Sequence, residues 1–130
     1  MKRIILVIDD EESIQELIAI YLSPLNVDIY PAYTGEDGVK LYESLLAQGK
    51  RPDAVIMDLK LPGINGIEAT KRIKKIDPDA VIYGFTAFTN SWAREMIRAG
   101  AKKVIPRSMG FSGLREIIRS SLEKRRVLMH

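Results

Sequence analysis

Five apolar stretches alternating with five segments of helical period predict an α/β fold. The expected architecture is a doubly wound, five-stranded parallel sheet in the order 2-1-3-4-5, with helices on both faces. Two observations carry it. Ile4 to Ile8 and the Asp53–Asp58 stretch hold unbroken apolar runs, the pattern of strands buried on both faces rather than one. Each run ends on acid, Asp9-Asp10-Glu11-Glu12 after the first and Asp58 after the other. These two strands belong side by side at the centre.

The elements follow in order. After the first strand, Ile14, Leu17, Ile18, Tyr21 and Leu22 repeat at helical spacing, Ser13 with Glu16 fits a capping box, a start one or two residues earlier also being compatible, and Pro24 ends the helix. Val27, Ile29 and Tyr30 form a less apolar strand running through Tyr33. Pro31 lies within it and cannot donate to a ladder, so this strand belongs at an edge. Thr34 caps a second helix with Val39, Leu41, Tyr42, Leu45 and Leu46 on its apolar face, and Gly49 stops it.

Asp58 is followed at once by a turn-rich loop with Pro62, Gly63, Asn65 and Gly66. Ile67, Ala69, Ile73 and Ile76 then mark a third helix, halted at Asp77-Pro78. Ala80 to Phe85 reads as the fourth strand and ends in Thr86-Ala87. Trp92, Ala93, Met96 and Ile97 mark a fourth helix, with Asn90 or Ser91 as cap, Gly100 as terminator and Trp92 partly buried in helix packing. Lys103-Val104-Ile105 is a short fifth strand, and Arg107-Ser108-Met109-Gly110 a loop. Leu114, Ile117, Ile118, Ser121 and Leu122 line a last helix, which runs out in Lys124-Arg125-Arg126, a solvated basic end; His130 is a frayed terminus.

Composition narrows the function. With 130 residues, 46% hydrophobic and 28% charged, the chain reads as one globular domain over residues 1–130. The absence of cysteine excludes disulfides, thiolate metal sites and cysteine nucleophiles, and fits a reducing, cytoplasmic setting. The apolar run at the start is too short for a signal peptide or a membrane span, so no membrane association is expected. A net charge of +3 does not imply nucleic acid. Without a helix-turn-helix or room for an output domain, direct DNA binding is not expected.

The chemistry sits at the carboxyl ends of the strands. The order 2-1-3-4-5 brings Asp9, Asp10 and Asp58 to one crevice. Three carboxylates so close repel unless a cation or protons neutralise them. An all-oxygen site without His or Cys suits a hard divalent cation, Mg²⁺, which keeps coordination positions for phosphate oxygens. Thr86 and Arg107 approach from the other side of the same sheet end, where a hydroxyl and a fixed cation would meet a phosphoryl group on Asp58. A carboxylate nucleophile for phosphoryl transfer gives an acyl phosphate.

The ordered set Asp9-Asp10, Asp58 with Pro62 and Gly66, Thr86-Ala87, and Gly100-Ala101 before the last strand resembles the response-regulator receiver domain of two-component signalling. The resemblance covers about residues 3 to 124 and implies a flavodoxin-like, chemotaxis-regulator-like fold. It implies that Asp58 accepts a phosphoryl group from a sensor histidine kinase, a phosphotransfer protein or a small-molecule donor. Asp10 would ligate Mg²⁺ directly, Asp9 through water, and the Lys60 backbone carbonyl would supply another oxygen, beside Asp58 itself. Thr86 would be the switch hydroxyl. A downstream protein would meet the face of the fourth helix, fifth strand and fifth helix, and a homodimer is a further possible assembly. Such a module is not a turnover enzyme.

Two departures stand out. Receivers usually carry Lys-Pro where this chain has Arg107-Ser108, and Arg is not a conservative replacement. They often carry Tyr or Phe three residues earlier, where Val104 has no ring to move. Both features favour a rival reading, a phosphorylation-independent pseudo-receiver that acts as an interaction module. A second rival is an aspartate-nucleophile phosphohydrolase, disfavoured because the acids after strand one are adjacent rather than Asp-x-Asp. A nucleotide- or flavin-binding protein lacks the glycine-rich loop. Lys60 and Phe88 sit where family members tune loss of the phosphoryl group, and Phe88 would screen the site from water and slow self-hydrolysis.

Overall fold

The computed structural model describes residues 2–87 and 91–128, with side chains up to residue 124. Five strands, β1 (Arg3–Ile8), β2 (Val27–Ala32), β3 (Ala54–Met57), β4 (Ile82–Thr86) and β5 (Lys103–Pro106), alternate with five helices. The helices are α1 (Glu12–Leu22), α2 (Gly35–Ala47), α3 (Gly66–Ile76), α4 (Ser91–Ala99) and α5 (Gly110–Leu128). All strand pairs are parallel, in the order β2-β1-β3-β4-β5, as the apolar runs predict. Pro31 lies on edge strand β2.

The runs Ile4–Ile8 and Ala54–Met57 are buried throughout because alternate side chains enter two cores. Leu6, Ile8, Val55 and Met57 pack with Tyr42, Ala69, Ile73 and Met96 of α2, α3 and α4. Ile5, Val7, Ala54 and Ile56 pack with Ile18, Leu22, Leu114, Ile118 and Leu122 of α1 and α5. Register then fixes the site: Ile8 stands opposite Met57, so Asp9 and Asp58 leave adjacent strands together. The Asp58 N–H donates to Ile8 C=O at 2.9 Å, and the Asp9 N–H to Ala32 C=O at 3.0 Å.

Several local expectations are corrected. The Ser13–Glu16 capping box does not form: α1 starts at Glu12, Ser13 lies in its first turn, and the N-cap is Glu11 with no side-chain cap bond. Helix α1 also presents Leu17 to solvent and buries Gln15 instead. β4 begins two residues after Ala80, because the Ala80 N–H bonds Asp77 C=O and its carbonyl accepts from Lys74 Nζ at 2.9 Å, in the turn leaving α3. β2 ends at Ala32, and Tyr33 is exposed. Residues Arg107–Met109 form a 3₁₀ turn rather than an open loop.

Trp92, expected to be partly buried, is 50% exposed. Helix α4 is short and buries one full side chain, Met96, whose thioether lies against Gly84 where the strand has no Cβ. That narrow contact leaves Trp92 and Ile97 outside. The expectations on Phe88, the Asn90 cap, Arg125, Arg126 and His130 lie outside the residues or side chains described.

A second buried polar unit ties α2 to the end of α3. Tyr42 OH donates to Asp77 Oδ2 at 2.6 Å, and Arg51 Nε approaches the same oxygen at 3.0 Å. Burial pushes the Asp77 carboxyl up, but the Tyr42 hydroxyl, the Asp79 N–H and Arg51 outweigh it, and the net shift is downward. Tyr42→Phe removes the buried donor and should destabilise the fold by about 1–2 kcal/mol in urea denaturation. An unchanged midpoint would contradict a structural role for this hydroxyl.

Candidate functional site

The crevice at the carboxyl ends of β1, β3, β4 and β5 brings together most of the residues singled out from the sequence. Asp9, Asp10 and Asp58 each offer a carboxylate oxygen within 4.8 Å of the others. Asp9 is buried, Asp10 exposed and Asp58 in between. Asp10, Asp58, Lys60, Pro62, Ala87 and Arg107 line an open cleft of about 570 Å³. Thr86, at the end of β4, is fully buried and its hydroxyl hydrogen-bonds the Asp58 carboxylate.

Local structure holds these groups still. Asp58 Oδ1 accepts from the Leu59 N–H at 2.8 Å. The Gly66 N–H bonds Leu59 C=O at 2.7 Å, drawing the start of α3 onto the strand end, and a Cβ on Gly66 would strike the Asp58 carbonyl oxygen. Glu36, in the first turn of α2, accepts from the Ile64 N–H at 3.2 Å and steadies the same loop. Asp9 Oδ1 accepts from the Glu11 N–H at 2.9 Å, an acid holding the residue that caps α1.

Arg107 reaches two of the acids and lies closer to Asp9 than to Asp58. Its Nη2 lies 2.6 Å from Asp9 Oδ2 and 3.7 Å from Asp58 Oδ1. The guanidinium lies over the Phe85 ring, 5.1 Å from the centroid, and its Nε is buried without a hydrogen-bond partner. Val104, three residues earlier, is half-buried against the α2–α4 core.

Electrostatics follow from this crowding. Burial raises the Asp9 carboxyl, the Glu11 N–H and Arg107 oppose it, and Asp58 and Asp10 add to it; the net is a rise to about 6. Asp58 is raised mainly by burial, with Arg107, the Thr86 hydroxyl and the Leu59 N–H pulling the other way and Asp10 pushing up. The all-oxygen donor set, crowded and short of positive charge, fits a hard divalent cation.

Gln15 was not legible as part of the site. Its buried Nε2 donates to the carbonyls of Val7, Asp9 and Ala32 at 3.0, 3.1 and 3.0 Å, joining the ends of β1 and β2 beneath Asp9. The only signal was a polar residue beside the apolar stripe of α1.

Comparison with known proteins agrees with this geometry. The response regulator receiver domain family matches residues 5–119, and the chain belongs to that family. It is 33% identical over 107 residues to the chemotaxis protein CheY of Thermotoga maritima, covering 81% of this chain and 85% of that protein. It is 26% identical over 120 residues to the autoinducer 1 sensor kinase/phosphatase LuxN of Vibrio campbellii, covering 92% of this chain but spanning only 14% of LuxN's length. A chain in the crystal structure of the CheX–CheY–BeF₃–Mg²⁺ complex from Borrelia burgdorferi superposes with a TM-score of 0.83 at 20% identity, covering 92% of this chain and 89% of that one. The protein is thus a CheY-like receiver domain of the two-component class, a class of signalling modules.

The Asp9 shift has a definite sign. Between the ordinary carboxyl value of 3.8 and about 6, folded Asp9 keeps a proton that the unfolded chain has lost. Its contribution to stability therefore falls as pH rises through that window. In chelator, urea denaturation should show the parent losing stability from about pH 4 to pH 7 and Asp9→Asn flattening that loss. Asp9→Asn should also be the more stable protein at neutral pH. Equal slopes for the two proteins would contradict the assignment.

Proposed function

We propose that the protein is a phosphoacceptor signalling module: Asp58 takes a phosphoryl group in a Mg²⁺-dependent reaction, and the change in the site alters partner binding. The observation that carries this reading is the convergence of Asp9, Asp10, Asp58, Thr86 and Arg107 on one cleft. An Asp58 carboxylate oxygen attacks the phosphorus of a phosphohistidine or a small acyl phosphate. The new P–O bond forms as the bond to the donor's nitrogen or oxygen breaks, and the leaving group departs with that electron pair. Asp10 and Asp58, the Lys60 backbone carbonyl, and Asp9 through water would hold the metal. When bound, the metal neutralises the carboxylates and the oxygens of the transferring group. The Leu59 N–H and the Thr86 hydroxyl, both already on Asp58, hold the nucleophile in place.

The donor class is a sensor histidine kinase or phosphotransfer protein. The response would pass through α4, β5 and α5 to a protein partner or a second copy. Trp92 and Ile97, exposed on α4, suit such a contact. The CheY of Borrelia burgdorferi, crystallised with CheX, BeF₃ and Mg²⁺, supports a metal and a partner of this kind. Among the described residues no helix is long and apolar enough to cross a membrane, which fits a cytoplasmic setting. Phosphoryl loss would be the module's own slow reset rather than turnover of an outside substrate. A second reading, an interaction module that needs no phosphorylation, draws on one observation: Arg107 already pairs with Asp9 and neutralises part of the pocket.

Intact mass after incubation with Mg²⁺ and acetyl phosphate separates the two. One phosphoryl group should add to the parent and none to Asp58→Asn. Thr86→Ala should still gain the group but lose most of the rise in melting temperature that Mg²⁺ with beryllium fluoride gives the parent. A parent that gains no mass from acetyl phosphate or kinase, and is not stabilised by beryllium fluoride, is an interaction module.

A further inference from the structure

We propose that the pocket between β4, β5 and α5 binds a small multivalent phosphate anion, of the class of pyrophosphate. The pocket lies near the amino ends of the two strands, away from the acidic cleft at their carboxyl ends. Its volume is about 190 Å³, and Lys102, Lys103, Lys124, Tyr83, Ser120 and Ser121 line it. The strand pair fixes the first half of this set. Tyr83 stands opposite Lys103 in parallel register, on the same face of the sheet, and the Lys102 N–H donates to Ile82 C=O at 2.8 Å. Helix α5 supplies the rest, with Ser120 and Lys124 one turn apart.

The lining offers donors and no acid. No carboxylate borders the pocket, and the three lysines make no ion pair with any described residue. Three ammonium groups around one cavity repel each other, a cost that an anion removes. Tyr83 and Ser121 are 4% and 5% exposed, yet neither hydroxyl hydrogen-bonds another described residue. Nearly buried hydroxyls ordinarily find a partner. Ser121 also interrupts the apolar stripe of Leu114, Ile118 and Leu122, where leucine or alanine would suit both helix and core better. The pocket accounts for that hydroxyl, and the fold does not. Size and charge define the ligand. The cavity is smaller than the roughly 300–1,000 Å³ of sites for drug-sized ligands, so it suits a compact anion rather than a nucleotide. Lysine meets phosphate as a point charge, and three lysines match an anion carrying several charges.

Titration calorimetry with sodium pyrophosphate, in chelator and against sodium chloride of equal ionic strength, tests this on the parent and three variants. One carries Lys103→Gln with Lys124→Gln, one Tyr83→Phe with Ser121→Ala, and one Arg119→Gln. Both lysines are exposed, so replacing them leaves the fold intact. Arg119 pairs with Glu116 on the surface of α5 and controls for a positive charge lost outside the pocket. The parent should bind a single pyrophosphate per chain, more weakly as salt rises. The lysine variant should lose about tenfold or more in affinity. The hydroxyl variant keeps every charge and should lose several-fold, while Arg119→Gln should match the parent. No binding by the parent, or an equal loss in Arg119→Gln, overturns the proposal. So does a hydroxyl variant that binds as the parent does, since the anion is then held by surface charge alone. A parent that ignores pyrophosphate but sediments with phosphatidic acid vesicles takes a lipid headgroup instead, and the proposal fails. The phosphoacceptor reading stands under every one of these outcomes, because no variant alters the acidic cleft.

Discussion

Repulsion among Asp9, Asp10 and Asp58 is the constraint on which the rest of this structure depends. No folded chain gathers three acids at the end of a buried sheet without cost. Every neighbouring feature answers that cost. Backbone N–H groups of Leu59 and Glu11 each take one oxygen, Thr86 donates to Asp58, and Arg107 crosses from the far side to Asp9. These partners do not finish the task, since the Asp9 and Asp58 carboxyls still rise above the ordinary range. The unfinished balance gives the pocket its appetite for a cation.

The sheet delivers the acids, but it does not by itself hold them. Parallel register brings Ile8 and Met57 opposite each other, and the next residue on each strand is the acid. Beyond that point the ladder stops, and side chains take over. Gln15 gathers the carbonyls of Val7, Asp9 and Ala32, while Glu36 and Gly66 draw the loop after β3 against α2 and the strand end. A rigid scaffold thus extends one layer past its last regular hydrogen bond.

Much of this was written in the sequence, and the reasons differ by residue. The runs Ile4–Ile8 and Ala54–Met57 were legible because a strand covered on both faces has no polar positions to blur it. Pro31 placed β2 at an edge because a missing N–H is a local fact. Thr34 was legible as a cap for the same reason, and its side chain does accept from the Asp37 N–H at 3.0 Å. Long-range pairings were not. Arg107 and Asp9 are 98 residues apart, and nothing local told which acid the arginine would choose. Trp92 was misjudged because helical period gives a face but not how much of it the sheet can cover. Ser13 looked like a cap, but α1 starts one residue before it, where the Asp9 carboxylate accepts from the Glu11 N–H.

Gly66 also bears on how the chain tolerates change. Its N–H is bonded to Leu59 C=O and a Cβ there would strike the Asp58 carbonyl, so residues 59–66 form a noose drawn tight at the neck. Chain entropy alone would tolerate a longer bight, but Leu61 is buried and the Ile64 N–H is held by Glu36, so its tip is pinned as well. The knot would not shift, and Asp58 with it. The bight is thus held at its far side by Glu36 and at a neck that admits no side chain at all.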